Sequence, residues 1–183
     1  MAIDKYATEC FVLASYEAGE HDMTYKLFTE EFGLIFARAT SVRKLESKLR
    51  AHIKPGHLTR VTLVKGKEVW RITGSEEIVC HGILRHDIVK LLERFVRGEG
   101  PQKTLFTHMK NILFSTSMEE RTGRLLAHYL LLVDLGYADA TIVGATTIEQ
   151  YISWNIDDLY TQAILTKDVM RPHVMQVLNQ MQL

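Results

Sequence analysis

The sequence predicts an α+β protein, with a five-stranded β-barrel in its N-terminal part and an all-helical domain after it. Three observations carry this. Apolar residues alternate with polar ones through most of residues 1–78, they recur every three to four positions from about His81 onward, and turn-forming glycines and prolines separate the runs. The expected domains are 1–78 and 79–183.

The strands follow in order. Thr8 to Tyr16 is rich in β-formers, Gly19 marks a turn, and Asp22 to Thr29 alternates Met23, Tyr25 and Leu27 with polar residues. After a turn at Glu30 to Gly33, Leu34 to Ala39 is the third strand, with Phe36 assigned to the core on the strength of its alternation with Leu34. Val42, Leu45, Leu49 and Ile53 make a helical stripe across Ser41 to Ile53, ended by Pro55 and Gly56. Leu58 to Val64, the turn Lys65, Gly66, Lys67 and the return Val69 to Thr73 read as a hairpin. Three strands, a short helix and two strands within about 75 residues match the OB barrel, whose helix plugs one end.

The helical half begins with Ile83, Ile88, Leu91, Leu92, Phe95 and Val96 on one face and stops at Gly98, Gly100 and Pro101. Leu105, Phe106, Met109, Ile112 and Leu113 start a second helix. Ser117 and Glu120 have capping-box spacing for a third, which runs through Leu125, Leu126, Tyr129 and Leu132 to Gly136. Thr147 to Trp154, Asp157 to Thr166 and Met170 to Leu183 are expected as three further short helices.

Composition narrows the function classes. With 46% hydrophobic residues the chain can build a core. No run approaches the roughly 18 apolar residues of a membrane helix, and Met1 to Cys10 lacks a signal-peptide layout, so a cytoplasmic location is expected. Cys10 and Cys80 are too few for a disulfide framework and are expected as reduced, buried thiols. No Gly-rich phosphate loop, G-x-S-x-G elbow or H-E-x-x-H is present, so the chain is not expected to be an enzyme or to carry a cofactor. Cys80, His81 and His86 form the densest group of potential ligands, but a zinc site normally needs four, and no metal is expected.

Charge distribution is more telling than its total. Lysine plus arginine and aspartate plus glutamate number 22 each, yet Arg38, Arg43, Lys44, Lys48, Arg50, Lys54, Arg60, Lys65, Lys67 and Arg71 face only Glu46 and Glu68 over one stretch. Such cations neutralise phosphates and release condensed counterions, which drives sequence-independent nucleic-acid binding. Those ten residues and Trp70 are the expected DNA contacts. Tyr16, Tyr25, Phe36 and Trp70 are the nearby aromatics, and Trp70 is balanced between barrel interior and stacking face.

The residues then suggest a family. Tyr6 to Leu13, Leu27 to Gly33, the stretch Ala37 to Lys44 with Ser47, Lys48, Leu49, Arg50 and Pro55, then Leu91 to Arg94, and Leu130 to Leu132 leading into Leu135, Gly136 and Tyr137 together resemble the RecO family of bacterial recombination mediators. The resemblance implies an OB-fold that binds single- and double-stranded DNA and anneals strands without covalent chemistry. It also implies a helical domain that docks the acidic, apolar tail of single-stranded DNA-binding protein, and partnership with RecR in loading RecA. The family's cysteine-rich zinc segment after the tyrosine is absent, since Ala138 to Gly144 holds no cysteine, and the chain is shorter than the family norm. Zinc is therefore not carried over. Arg121, Arg124, Leu125 and Tyr129, with Lys110 on the preceding helix, are the expected partner contacts, as guanidinium forks beside an apolar strip suit an acidic tail. Two alternatives stay open: a protein adaptor with little DNA affinity, and an OB-fold RNA-binding factor.

Overall fold

The computed structural model of the chain describes residues 4–43, 47–66, 69–79, 84–145 and 147–181. It is α+β, as expected: strands β1 (Lys5–Glu17), β2 (Met23–Thr29), β3 (Gly33–Ala39), β4 (Leu58–Lys65) and β5 (Trp70–Glu77) with helix α1 (Lys48–His52) precede a helical region. The strands close into a barrel in the order β1-β2-β3-β5-β4. All pairings are antiparallel except β3 with β5, which meet in parallel at Ala37↔Trp70 and Arg38↔Arg71. Closure depends on β1, whose first half pairs with β4 and second half with β2, with a register shift between Val12 and Ala14. A bulge there bends one long strand around the corner of the ring.

The barrel is filled by Cys10, Val12, Tyr25, Leu27, Ile35, Ala37, Ala39, Val61, Leu63 and Ile72. This corrects the phase expected for β3. Ile35, Ala37 and Ala39 face inward and Phe36 is 48% exposed, because residues two apart share a face and Phe36 therefore goes with Arg38. The expected helix over Ser41 to Ile53 is also shorter in fact. Ser41 takes a left-handed φ of 54°, which no helix continues, and α1 covers only Lys48–His52. Val42, Leu49 and Ile53 nevertheless pack against the barrel core, while Leu45 lies outside the described residues.

The barrel's outer wall at Phe11 and Phe28 is covered from within the same compact unit, which takes in residues 1–81 and 85–106. Helix α2 (Arg85–Phe95) buries Ile88, Val89, Leu91 and Leu92, and Phe106 packs on Phe11 and Phe28 at ring separations of 5.2 and 5.7 Å. Between them, Leu34 N–H donates to the Gly98 carbonyl at 3.1 Å and Gly100 N–H to the Phe32 carbonyl at 2.9 Å. Gly33 has to be glycine here: its φ is +67°, and a Cβ would fall 2.1 Å from the Gly100 oxygen.

The second unit comprises residues 82–84 and 107–183. Helix α3 (Lys103–Phe114) leads into α4 (Glu120–Asp134), a 3-10 turn (Ala140–Val143), α5 (Ile148–Ser153) and α6 (Ile156–Gln180). The cap of α4 is Glu119, not Ser117. The helix starts at Glu120, so the Glu119 carboxylate is the one placed to accept from the N–H groups of Arg121 and Thr122, at 3.0 and 2.9 Å. Gly136, with φ 78°, ends α4 while the Tyr137 N–H returns to the Leu132 carbonyl at 2.7 Å. The two last helices expected separately are one. Asn155 caps α6, and the buried stripe Leu159, Ala163, Met170, Val174 and Val177 runs on without a phase break, so packing carries the helix through Pro172. No helix among the described residues is long and apolar enough to cross a membrane.

Candidate functional site

Strand pairing decides which of the expected cations stand together. The register Tyr16↔Thr24, Thr24↔Arg38 and Arg38↔Arg71 makes one row across β1, β2, β3 and β5, and Ala14↔Lys26 and Lys26↔Phe36 make the next. Directly paired residues share a face, and this face is the outer one because Tyr25 and Ala37 point into the barrel. Lys26, Arg38 and Arg71 thus border Tyr16, Thr24 and Phe36 on the face of β2 and β3 that OB barrels use for oligonucleotides. Lys26 was missed in the sequence, and Phe36, named among the aromatics, was assigned to the core. The signal available was Arg38, whose charge fixes the outward parity of β3.

The cations differ in how far their charge is already answered. Arg38 donates to Asp22 Oδ2 from Nε at 3.1 Å and from Nη2 at 2.8 Å, and to the Ala18 carbonyl. The Ser41 N–H and then Arg38 hold the Asp22 carboxyl below the usual carboxylate range. Arg43 meets Glu17 at 3.3 Å, and Arg60 meets Glu9 at 3.1 Å and Glu76 at 3.7 Å. Arg60 pairs in register with Glu9 and Glu76 across β1, β4 and β5, away from the row of Arg38. Lys54, Lys65 and Arg71 are exposed, and among the described residues Arg71 makes no ion pair. Lys44 and Lys67 lie outside the described residues, as do the side chains of Lys48 and Arg50.

Trp70 is resolved by its burial. It is 8% exposed, its ring 5.7 Å from Tyr6 and 4.8 Å from Phe32, with Lys65 Nζ 5.6 Å from its centroid. The parity that turns Arg71 outward turns Trp70 in, so its ring offers no open face for a base.

In the second unit, α4 and α6 enclose a groove of about 670 Å³. Arg121, Arg124, Leu125 and His128 line it from α4, and Lys167, Asp168, Arg171, Val174, Met175 and Leu178 from α6. Glu119 also borders it, but its charge is occupied by the Thr122 hydroxyl and then by the N–H groups of the helix N-terminus, which hold its carboxyl low. Arg124 pairs with Glu120. The expected Tyr129 is not part of this surface. From Tyr129 to Val133 α4 is buried all round, and the Tyr129 hydroxyl donates to the Asp139 carbonyl at 2.6 Å, burial pushing it up to about 12. His128 takes that place, and the half-buried Lys110 on α3 is not among the lining residues.

A third feature had no signal in the sequence. Asp134 accepts from the Tyr151 hydroxyl at 3.0 Å and pairs with His108 Nδ1 at 2.8 Å, His108 and Asp134 being 6% and 3% exposed. Burial and the Asp134 charge push the Tyr151 hydroxyl strongly up, so this network pins α3, α4 and α5 together. Cys80 and His81 lie outside the described residues; among the described ones no three His, Cys, Asp or Glu side chains gather as metal ligands do.

An OB barrel with a cationic, aromatic outer face, joined to a helical domain, is the class of protein these features define. Residues 1–79 match the family described as "Recombination protein O N terminal". The chain is similar to two proteins named "DNA repair protein RecO" from strains of Dehalococcoides mccartyi, 37% and 30% identical over 123 residues, covering 64% of this chain and 49% of each relative. Another of that name, from Myxococcus xanthus, is 26% identical over 129 residues, or 64% of this chain and 52% of the relative. These matches outrun residue 79, so the likeness continues into the helices. The chain spans about half the length of the curated relatives it matches.

Proposed function

We propose that the chain is a non-enzymatic DNA-binding mediator of recombinational repair that acts in the cytoplasm. The observation that carries this is the row Tyr16, Thr24, Arg38 and Arg71 with Lys26 and Phe36 beside it, on the outer face of a barrel that matches the RecO N-terminal region. Cations there neutralise phosphates of single- or double-stranded DNA, which lets complementary strands anneal without covalent chemistry. The groove between α4 and α6 suits the acidic, apolar tail of single-stranded DNA-binding protein: Arg121, Lys167 and Arg171 meet carboxylates while Leu125, Met175 and Leu178 take apolar side chains. Engagement of RecR and loading of RecA complete the reading, on the strength of the likeness to the RecO family.

The test is a fluorescence anisotropy titration of the chain with single-stranded DNA at several salt concentrations. Affinity falls log-linearly with salt if phosphate neutralisation drives it. A second reading, a protein adaptor with little DNA affinity, is favoured by the pairing of Arg38, Arg43 and Arg60 with carboxylates. Peptide binding without any DNA binding would establish that reading instead.

A further inference from the structure

We propose that Phe36 and Tyr16 form a two-ring stacking platform that makes the barrel prefer unpaired over paired DNA; this rests on the DNA-binding reading above. Each is 48% exposed, while the aromatic residues of the opposite parity, Tyr25 and Trp70, are buried. Neither ring does structural work that explains its place. The barrel core is complete without them, and the apolar outer wall at Phe11 and Phe28 has its own cover in Phe106. What surrounds the exposed rings is polar and cationic instead: Phe36 pairs directly with Lys26, Tyr16 with Thr24, and Arg38 and Arg71 continue the row.

The spacing selects for an extended strand. Tyr16 and Phe36 lie two strands and two residues apart, a Cα separation of about 12 Å on ordinary sheet spacings. That is roughly three and a half times the 3.4 Å rise between neighbouring bases of a duplex strand. Bases in a duplex also cover one another's faces, so a duplex presents this surface with phosphates alone. An unpaired strand presents phosphates to Lys26, Arg38 and Arg71 and in addition lays a base on each ring, which strengthens its binding over that of a duplex. Asp22 and the Ala18 carbonyl fix the Arg38 guanidinium at the β1–β2 turn, in the same row as Tyr16. Thr24, small and central, leaves the floor between them open.

The test uses the full chain and three labelled probes: oligodeoxythymidine, an abasic strand of equal length, and a matched duplex. In the Tyr16→Leu/Phe36→Leu double variant, affinity for oligodeoxythymidine falls by about ten-fold or more, while the abasic strand and the duplex bind within about two-fold of wild type. Phe36→Tyr and Tyr16→Phe, which keep a ring, retain oligodeoxythymidine binding, separating stacking from a change in strand stability. If the wild type binds all three probes and the double variant loses none of its preference for oligodeoxythymidine, or loses affinity equally for all three, the platform is overturned and the DNA-binding reading stands. A wild type that binds none of the probes overturns both.

Discussion

Arg38 donates from two guanidinium nitrogens to one carboxylate oxygen of Asp22 across the start of β2 and the end of β3, and the other Asp22 oxygen accepts the Ser41 N–H at 2.8 Å. One carboxylate thus neutralises a cation of the outer row and fixes the left-handed turn that follows β3. Asp22→Asn leaves Arg38 unanswered, and the salt dependence of single-stranded DNA binding should steepen by up to about one phosphate's worth. A second consequence concerns acid. Asp22 has a folded pKa below its ordinary 3.8, so its contribution to stability is present above about pH 4 and is lost as pH falls through the lower folded value. Thermal unfolding followed down through that range should show the gap between wild type and Asp22→Asn closing.

Arg71 and Arg60 make a matched comparison. Arg71 is exposed in the row of Arg38 with no ion pair among the described residues, whereas Glu9 and Glu76 flank Arg60. Arg71→Gln should lower the salt slope by about one, and Arg60→Gln should leave it nearly unchanged. Equal effects would mean that summed charge, not placement, governs binding.

Trp70 tests structure against contact. Trp70→Ala empties a site between Tyr6 and Phe32 and should cost about 3–5 kcal/mol in denaturant unfolding. Trp70→Phe keeps a ring in the same place and should bind single-stranded DNA within about two-fold of wild type at temperatures where it is folded. A large loss of affinity in folded Trp70→Phe would return Trp70 to the DNA contacts.

For the groove, reversing charge with Arg121→Glu and Arg171→Glu should abolish binding of an acidic, apolar tail peptide in a calorimetric titration. Tyr129→Phe, which loses only the hydroxyl's bond to the Asp139 carbonyl, should bind the peptide normally while unfolding about 1–3 kcal/mol more easily.

The buried network supplies a stability prediction of its own. Tyr151→Phe removes the hydroxyl that donates to Asp134 and should cost about 1–3 kcal/mol, and His108→Ala, which leaves a buried carboxylate without its ring partner, about 3–5 kcal/mol. Circular dichroism melts of the two variants measure the order of these effects.

Strand order and helix positions were legible because period and punctuation are local. Gly19, Pro55, Gly56 and Gly136 mark turns wherever the folded neighbours happen to be. Phe36 was misplaced because Leu34, Ile35 and Phe36 are all apolar, so hydropathy alone does not choose the inward one; Arg38, two residues on, does. The cation run misled for a different reason. Asp22, Glu17, Glu9 and Glu76 lie outside it along the chain and meet Arg38, Arg43 and Arg60 only once the barrel closes. The half-groove on α4 was visible as Arg121, Arg124 and Leu125, but α6 was read as two separate short helices and its lining residues were not assigned to it.

The close approach of Gly33 and Gly100 bears on how the N-terminal part can be handled in isolation. The family match ends at residue 79, yet among the described residues β3 pairs with β5 at Ala37 and Arg38, and its first residues find their other neighbour in Gly98 and Gly100. A fragment cut after β5 would bare that strand edge together with the phenyl rings of Phe11 and Phe28, both fully buried in the whole chain. Unpaired edges beside apolar faces recruit other chains. Such a fragment would self-associate at working concentrations, and one ending after Phe106 would stay monodisperse.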